Sequence, residues 1–193
     1  MKLLGITGGV GCGKSLLRKT LEKMGYLTFD ADTLARQITQ NHIPEVQKIF
    51  GEDIYQNGKL SSQLLGERMF SQPSLKKSLE DLIHPKVGKI FLEKLENIKA
   101  LGQDHVWIFY ESALLFETQK QDEFDKIIYV HAPLEKRYQW LKQNRNWSEE
   151  YIQKIMQSQI SDTEKMERSN FVIMNHGEPL EEEAIRLIRY LYV

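Results

Sequence analysis

The sequence predicts an α/β fold in which a parallel sheet of about five strands is flanked by helices. Two observations carry the prediction. Short apolar runs with the length of buried strands recur along the chain, and segments with apolar residues at helical spacing lie between them. The apolar runs span residues 3–7, 26–29, 106–110, 126–130 and 171–174. Because parallel strands need long crossover connections, this alternation is typical of a sheet covered by helices on both faces.

The first and last predicted helices flank the sheet directly. After the first strand, Leu17, Leu21 and Met24 recur at helical spacing, and Gly25 follows as a helix end. Near the end of the sequence, residues 179–192 again repeat apolar side chains at helical spacing. Each of these helices therefore offers one apolar face to the sheet.

One long segment, residues 33–103, interrupts the alternation. It contains two helical stripes of apolar residues, from Leu75 to Ile83 and from Val87 to Ile98. Pro85 fits the first turn of the second of these helices, where a missing backbone N–H costs nothing. The segment is too long for a simple crossover, so we expect an inserted helical subdomain.

A second segment, residues 134–160, also interrupts the alternation of strands and helices. It is polar and rich in Lys, Arg, Gln and Glu. We expect it to form a mobile helical lid. A single domain over residues 1–193 follows, with residues 1–32, 104–133 and 161–193 as its core.

Composition narrows the class of protein. The 193 residues include 26 basic and 27 acidic side chains, for a net charge of −1, and this balance disfavours nucleic acid as the main partner. The sequence has no apolar run long enough to span a membrane, and its first apolar stretch is too short for a signal peptide. The single cysteine excludes an internal disulfide and a Cys-based zinc site. We expect a cytoplasmic enzyme, without nucleic-acid or membrane partners, that is a monomer or a weak homo-oligomer.

Residues 8–15 read GGVGCGKS and fit the phosphate-loop pattern G-x-x-x-x-G-K-[ST] in full. Glycines let the backbone curl so that its N–H groups point inward as an anion nest, and the following helix adds the positive end of its dipole. Lys14 places a charge on the β- and γ-phosphates, and the Ser15 hydroxyl ligates Mg²⁺. The pattern predicts ATP binding with Mg²⁺ as cofactor, and the residues expected to contact the nucleotide are Gly9, Val10, Gly11, Cys12, Gly13, Lys14, Ser15 and Leu16.

The kind of phosphate-loop protein follows from what accompanies the loop. The sequence lacks the D-x-x-G and N-K-x-D patterns of GTPase switch proteins and the H-R-D loop of protein kinases. A small-molecule kinase needs acidic groups near the metal and the acceptor hydroxyl, together with a cationic lid, and all of these have candidates. A nucleoside or nucleotide kinase and a regulatory ATPase stay open as alternatives.

Acidic residues follow two of the predicted strands. Asp30 and Asp32 lie just past the second strand, at the edge where ligands of open α/β sheets bind. We favour Asp32 as the base that takes the proton of the attacking hydroxyl, and the alternative is a helix cap. Glu111 ends the apolar run 106–110 and is expected to contact Mg²⁺, and the alternative is a strand-end acid paired with a lysine. Glu117, six residues on, is a weaker candidate.

The predicted lid carries four cations: Lys136, Arg137, Lys142 and Arg145. A guanidinium stabilises charge on the transferring phosphoryl oxygens better than an ammonium does. We interpret the first three as a solvated helix face. Arg145, just ahead of a predicted helix start at Ser148, is expected to act on the phosphates as a catalytic residue.

The ordered set of motifs resembles the dephospho-CoA kinase family over nearly the whole chain. The matching pieces, besides the phosphate loop, are Asp30-Ala31-Asp32, Ala35-Arg36, Phe50-Gly51, Ile83-His84-Pro85, Leu114-Leu115-Phe116-Glu117 and residues 172–177. The resemblance implies that ATP phosphorylates the 3′-hydroxyl of the dephospho-CoA ribose, the last step of CoA synthesis, and that residues 33–103 bind the CoA portion. It also implies that Asp32 is the base, that Thr7, Arg36 and His84 face the acceptor, that Arg145 acts from the lid, and that Asn175 lies near the adenine of ATP.

This sequence departs from the family pattern at several positions, where the roles implied by the resemblance are affected. Ala113 stands where a proline is usual, Ser61-Ser62 replace an Asp/Asn-Arg pair, and Leu141 replaces the first of two lid arginines. Arg68 could substitute for the missing basic contact. Cys12 replaces a usual serine, and we expect thiol reagents to inactivate the protein unless ATP is bound. The alternative is that Cys12 is an inert residue chosen for its size.

Overall fold

The computed structural model describes residues 1–56, 58–102, 106–145 and 147–192. It divides into two compact units, one of Met1–Asp30 with Gln103–Val193 and one of Ala31–Gly102. The strands, in chain order, are β1 (Lys2–Thr7), β2 (Leu27–Asp30), β3 (Tyr55–Gln56), β4 (Lys59–Leu60), β5 (Trp107–Glu111), β6 (Lys126–His131) and β7 (Phe171–Met174). The helices are α1 (Lys14–Lys23), α2 (Ala31–Asn41), α3 (Ile43–Phe50), α4 (Ser62–Ser71), α5 (Pro73–Ala100), α6 (Leu134–Arg145), α7 (Glu149–Gln157), α8 (Asp162–Glu167) and α9 (Glu181–Leu191).

The first unit contains a parallel five-stranded sheet in the order β2-β5-β1-β6-β7. The sequence prediction of an α/β fold with about five parallel strands is confirmed. In the register of the sheet, Glu111 pairs with Ile6 on one side and with Asp30 on the other. The carboxyl ends of β1, β2 and β5 therefore place Thr7, Asp30 and Glu111 at one edge.

Both predicted helices beside the sheet are present, as α1 and α9. Leu17 and Leu21 of α1 are fully buried in one apolar cluster together with Ala184 and Leu187 of α9. Helix α1 begins directly after Gly13 and ends before Gly25, whose φ of 91° suits a helix end. The apolar periodicity thus positions α1 with its N-terminus at the carboxyl end of β1.

The second unit differs from expectation in one helix and one hairpin. The sequence predicted two helices with Pro85 opening the second, but residues Pro73–Ala100 form a single helix with Pro85 inside it. Leu79, Ile83, Val87 and Phe91 are all buried, so the two predicted stripes join into one that runs straight past the proline. Burial along this stripe outweighs the single backbone hydrogen bond that Pro85 cannot donate. The β3-β4 hairpin was not anticipated, because each of its strands has only two residues.

Residues 134–160 form α6 and α7 and belong to the first unit. Their functional separation as a lid stays a prediction. Among the described residues, no helix combines the length and apolar character needed to cross a membrane.

Pro85 sets up a test of the helix assignment. We expect Pro85→Ala to raise the free energy of unfolding by about 1–3 kcal/mol, because alanine restores a hydrogen bond inside a continuous helix and Pro85 is exposed. Urea unfolding followed by circular dichroism measures it. Pro73→Ala is the matched control, since Pro73 occupies the helix start and its replacement should change little. A stability equal to or below that of the wild type for Pro85→Ala would contradict the assignment.

Candidate nucleotide-binding site

The phosphate loop joins β1 to α1 and is shaped by glycine at its last position. Gly13 has a φ of 97°, in the left-handed region that residues with a Cβ avoid. A Cβ at this position would also lie 2.2 Å from the Asn175 Nδ2 atom. Both the backbone conformation and the close approach of Asn175 therefore require glycine where the loop turns into α1.

The backbone N–H groups of the loop fall into two sets. The N–H of Val10 donates to Gln159 Oε1 at 2.9 Å, that of Cys12 to the Gly9 carbonyl at 3.3 Å, and that of Leu16 to the Gly13 carbonyl at 2.9 Å. In the described structure, the N–H groups of Gly11, Gly13, Lys14 and Ser15 make no such bond. These N–H groups are among the backbone donors that the loop leaves for a ligand.

Lys14 is buried at the start of α1. Its ammonium donates to the Gly8 carbonyl at 3.1 Å and to the Gly9 carbonyl at 3.2 Å. Since neither partner is charged, the positive charge of Lys14 is retained beside the loop and attracts an anion.

Asn175 follows β7 and supports the loop from behind. Its Nδ2 donates to the Cys12 carbonyl at 2.8 Å, and its Oδ1 accepts from the Gly177 N–H at 3.0 Å. The side chain is 2% exposed. Its amide is thus engaged with the loop backbone, and the expected contact with adenine stays a prediction.

Arg137 of α6 also reaches the loop. Its Nε donates to the Val10 carbonyl at 2.8 Å, and its Nη1 donates to Asp162 Oδ2 at 2.7 Å. Asp162 Oδ1 accepts from the Tyr129 hydroxyl at 2.6 Å, and burial together with this bond raises the pKa of Tyr129. Arg137 is 3% exposed, so the interpretation of this residue as part of a solvated helix face is wrong.

The other predicted lid cations have different surroundings. Arg145 is exposed at the end of α6, with its guanidinium 5.9 Å from the centre of the Trp147 ring. Lys142 pairs with Glu149, and Lys136 donates to the His176 carbonyl. The described contacts bring Arg137, rather than Arg145, to the phosphate loop.

Glu111 and Ser15 lie together at the edge of the sheet. The Ser15 hydroxyl donates to Glu111 Oε1 at 2.6 Å, and Arg18 Nε donates to Glu111 Oε2 at 2.9 Å. Arg18 also pairs with Asp30 at 3.3 Å, so one guanidinium links two strand-end carboxylates. Glu111 is 1% exposed, and its cationic partner is an arginine rather than the lysine of the alternative interpretation.

Sequence reasoning missed Arg18, although a signal for it exists. Ser15, Arg18 and Glu22 recur at spacings of three and four on α1, which places them on one face of the helix. That face starts at a predicted metal ligand, and the pairing of Arg18 with Glu22 confirms the arrangement.

Glu117 lies outside this cluster. It pairs with the fully buried Lys165 at 2.6 Å and accepts from the Ile160 N–H at 3.2 Å. These contacts join the turn after β5 to α8 and to the segment before it, which is a structural role.

The predicted acceptor residues are distributed over both units. Thr7, in the first unit, is fully buried, and its hydroxyl has no hydrogen-bond partner in the described structure. In the second unit, Asp32 lies in the first turn of α2, and Arg36 donates to the Thr33 hydroxyl at 3.1 Å from the exposed side of the same helix. His84 is half-buried within α5.

Ser61, Arg68 and Cys12, which the comparison with the family pattern singled out, make the following contacts. Ser61 caps α4 by accepting from the Leu64 N–H at 3.3 Å. Arg68 donates to the Phe50 carbonyl and also pairs with Asp53. The hydrogen bond from Arg68 lowers the pKa of Asp53. Cys12 is buried within the apolar cluster of the sheet, and its Sγ lies 4.0 Å from the Lys14 ammonium. The expected reactivity of its thiol stays a prediction.

A model of the dephospho-CoA kinase family matches residues 2–181. The chain belongs to the dephospho-CoA kinase family. A dephospho-CoA kinase from Bacteroides fragilis is 36% identical, with 98% of this chain and 92% of that relative covered. A crystal structure from Thermus thermophilus has a TM-score of 0.83 at 30% identity, covering 99% of this chain and 96% of that one. Dephospho-CoA kinase from Campylobacter jejuni has a TM-score of 0.66 at 26% identity, with 98% and 96% covered.

The family resemblance inferred from the motifs is therefore confirmed. As a member of the dephospho-CoA kinase family, the chain is a kinase of the phosphate-loop class that acts on small molecules.

Asn175 tests the support of the loop. We expect Asn175→Ala to weaken ATP binding about tenfold, because the Cys12 carbonyl loses its buried donor and the loop loses its fixed shape. Isothermal titration calorimetry measures the affinity. Asn170→Ala is the matched control, since Asn170 accepts from the Ile127 N–H at the opposite end of β7 and lies away from the loop. Equal ATP affinity for Asn175→Ala and Asn170→Ala would contradict the role of Asn175.

Proposed function

We propose that the site described above carries out the activity of the family, the transfer of the γ-phosphoryl group of ATP to the 3′-hydroxyl of dephospho-CoA. The observation that carries the proposal is the phosphate loop itself. It presents several unused N–H donors beside a buried ammonium that donates to two neutral carbonyls. Such a site has a strong preference for a polyphosphate.

Lys14 is proposed as the cation that meets the phosphates of ATP. When the nucleotide binds, its ammonium exchanges the Gly8 and Gly9 carbonyls for β- and γ-phosphate oxygens. The N–H groups of residues 11 and 13–15 then hold the remaining phosphate oxygens. Both interactions strengthen as charge spreads over the transferring group, which is how a phosphate loop contributes to catalysis.

The residues at the sheet edge fit a magnesium ion. Mg²⁺ prefers oxygen ligands in octahedral geometry with bonds of about 2.0–2.1 Å, which places neighbouring ligands about 2.9 Å apart. The Ser15 and Glu111 oxygens are already 2.6 Å apart, so both can face one ion, directly or through water. Ser15 and Glu111 would hold the ion, which would supply positive charge to offset the charge of the ATP phosphates.

The described residues hold no group of three or more His, Cys, Asp or Glu side chains arranged for a metal. This agrees with an ion held largely by the nucleotide and water, since Mg²⁺ keeps several of its waters and uses one or two protein ligands in such sites. Arg18 keeps the Glu111 and Asp30 carboxylates in place at that edge.

Asp32 is proposed as the group that accepts the proton of the attacking 3′-hydroxyl. It lies two residues beyond Asp30, the last residue of β2, in the first turn of α2. Thr7, Arg36 and His84 are proposed to bind the acceptor. Thr7 brings a buried hydroxyl that has no protein partner in the described structure, so a ligand could satisfy it. Arg145 is proposed to act on the phosphates from the lid, and Asn175 to serve ATP binding.

The metal assignment predicts a specific effect of Glu111→Gln. We expect the Mg²⁺ concentration that gives half-maximal activity to rise about tenfold, because the amide keeps the hydrogen bond to Ser15 and loses the negative charge. Titration of activity with Mg²⁺ at fixed ATP measures this change. Glu22→Gln is the control, since Glu22 also pairs with Arg18 yet is exposed. An unchanged Mg²⁺ dependence of Glu111→Gln would remove Glu111 from the metal site.

The acceptor is tested by coupled measurement of ADP release. We expect dephospho-CoA to stimulate ADP release at least 100-fold over ATP and Mg²⁺ alone, since positioning of the acceptor hydroxyl supplies most of the rate. Stimulation by a nucleoside instead would indicate a different kinase, and ADP release independent of any acceptor would indicate an ATPase.

The same assay examines Asp32. The Asp32→Asn variant should retain ATP affinity and lose about 10²–10⁴-fold in kcat, the usual contribution of a general base. Asp122→Asn, which alters an exposed carboxylate of the first unit, is the control. Near-normal turnover of Asp32→Asn would exclude Asp32 from proton transfer.

A further inference from the structure

Val10 is held on both sides by residues far away in the sequence. Arg137 donates to its carbonyl at 2.8 Å, and Gln159 accepts from its N–H at 2.9 Å. These contacts span 127 and 149 residues of sequence. The peptide groups of Val10 are therefore engaged by the protein, although the phosphate-loop pattern alone assigned this residue to ATP.

Arg137 is fixed in turn by its own partners. Asp162 accepts from Nη1 at 2.7 Å and is itself held by the Tyr129 hydroxyl at 2.6 Å. Both Tyr129 and Arg137 are buried. With its Nε on a carbonyl and its Nη1 on a carboxylate, the planar guanidinium is fixed in one orientation, which the single nitrogen of a lysine cannot achieve.

The guanidinium also packs directly on the backbone of Gly9. A Cβ added at Gly9 would lie 2.3 Å from Arg137 Nη2 and 2.7 Å from its Cζ. Gly9 is not among the glycines with positive φ. Glycine is therefore required at this position because of the neighbouring guanidinium and not because of backbone conformation.

We propose that Arg137 is a positioning residue for phosphoryl transfer: it holds Gly9 and Val10 so that the nest of N–H groups is formed before ATP binds. The inference rests on the proposed function for its role in transfer. A preformed loop binds ATP without the free-energy cost of ordering its backbone, and this is the advantage that the Arg137–Asp162 pair supplies.

The first test compares the ATP affinity and the steady-state kinetics of Arg137→Ala and Arg137→Lys. Both variants should weaken ATP binding at least tenfold, since the charged hydrogen bond to the loop is lost or misplaced. The KM for dephospho-CoA should change less than twofold. An ATP affinity of Arg137→Lys between those of Arg137→Ala and the wild type supports the positioning role. Wild-type ATP affinity of Arg137→Lys would show that charge alone matters and would overturn the role.

The control for lost stability is Ile127→Ala. It opens a cavity in the small buried cluster of Leu115, Phe116 and Ile127, away from the loop. It should lower the melting temperature while ATP affinity stays within twofold of the wild type. If Arg137→Ala changed ATP affinity no more than Ile127→Ala does, Arg137 would be a structural residue only and the proposal would fail.

The second test uses Gly9→Ala and leaves Arg137 in place. In nucleotide-free protein, Gly9→Ala should lower the melting temperature because its methyl group displaces the guanidinium. In the Arg137→Ala background the same substitution should cost at most half as much, since the space is then empty. Additive effects would overturn the proposed contact, and this result does not depend on Arg137→Ala being active.

Neither ATP binding nor melting of the nucleotide-free protein requires an acceptor. If dephospho-CoA failed to stimulate ADP release in the wild type while these two tests succeeded, the proposed function would fall and the loop-positioning role of Arg137 would stand. The opposite result would retain the function and reject the role.

Discussion

The backbone of residues 8–15 must leave several N–H groups unpaired and directed into one concavity, and the rest of the site depends on this constraint. Unpaired donors are costly in a folded protein unless a ligand satisfies them, so a loop left to itself would relax and pair them. Side chains from other elements prevent this relaxation of the loop. Asn175 holds the Cys12 carbonyl, while Arg137 and Gln159 hold the two sides of Val10. Support on the outer face of the loop thus preserves the donors on its inner face.

Buried cations show how the site directs charge. In the described structure, Arg137 pairs with Asp162 and Lys165 with Glu117, so the charge of each is offset by a carboxylate. Lys14 differs, because its partners are the Gly8 and Gly9 carbonyls. A buried ammonium without a carboxylate is unfavourable in the empty protein and favourable once an anion arrives. Lys14 is therefore suited to binding an anion, whereas the paired cations stabilise the folded structure.

The features that the sequence predicted were local ones. The loop pattern, the five strands and helices α1 and α9 follow from spacings within about ten residues, where residue type and periodicity suffice. Arg137 was misread because its neighbours in the sequence are polar, whereas its burial comes from contacts with Val10 and Asp162 on other elements. Arg18 was missed although its spacing from Ser15 was visible. Pro85 was read as a helix start because local propensity could not weigh the continuous buried face of α5 against one lost hydrogen bond.

Helix α6 was expected to belong wholly to a mobile lid, but its contacts divide it. In its first two turns, Arg137 is bonded to the loop and Lys136 to the His176 carbonyl. The buried Leu141 lies so close to Gly11 that a Cβ there would be 2.9 Å from its Cδ1. A movement of the whole helix would break the support on which the phosphate loop depends. Residues 136–141 of α6 therefore support the phosphate loop, whereas Arg145 lies beyond these contacts at the exposed end of the helix.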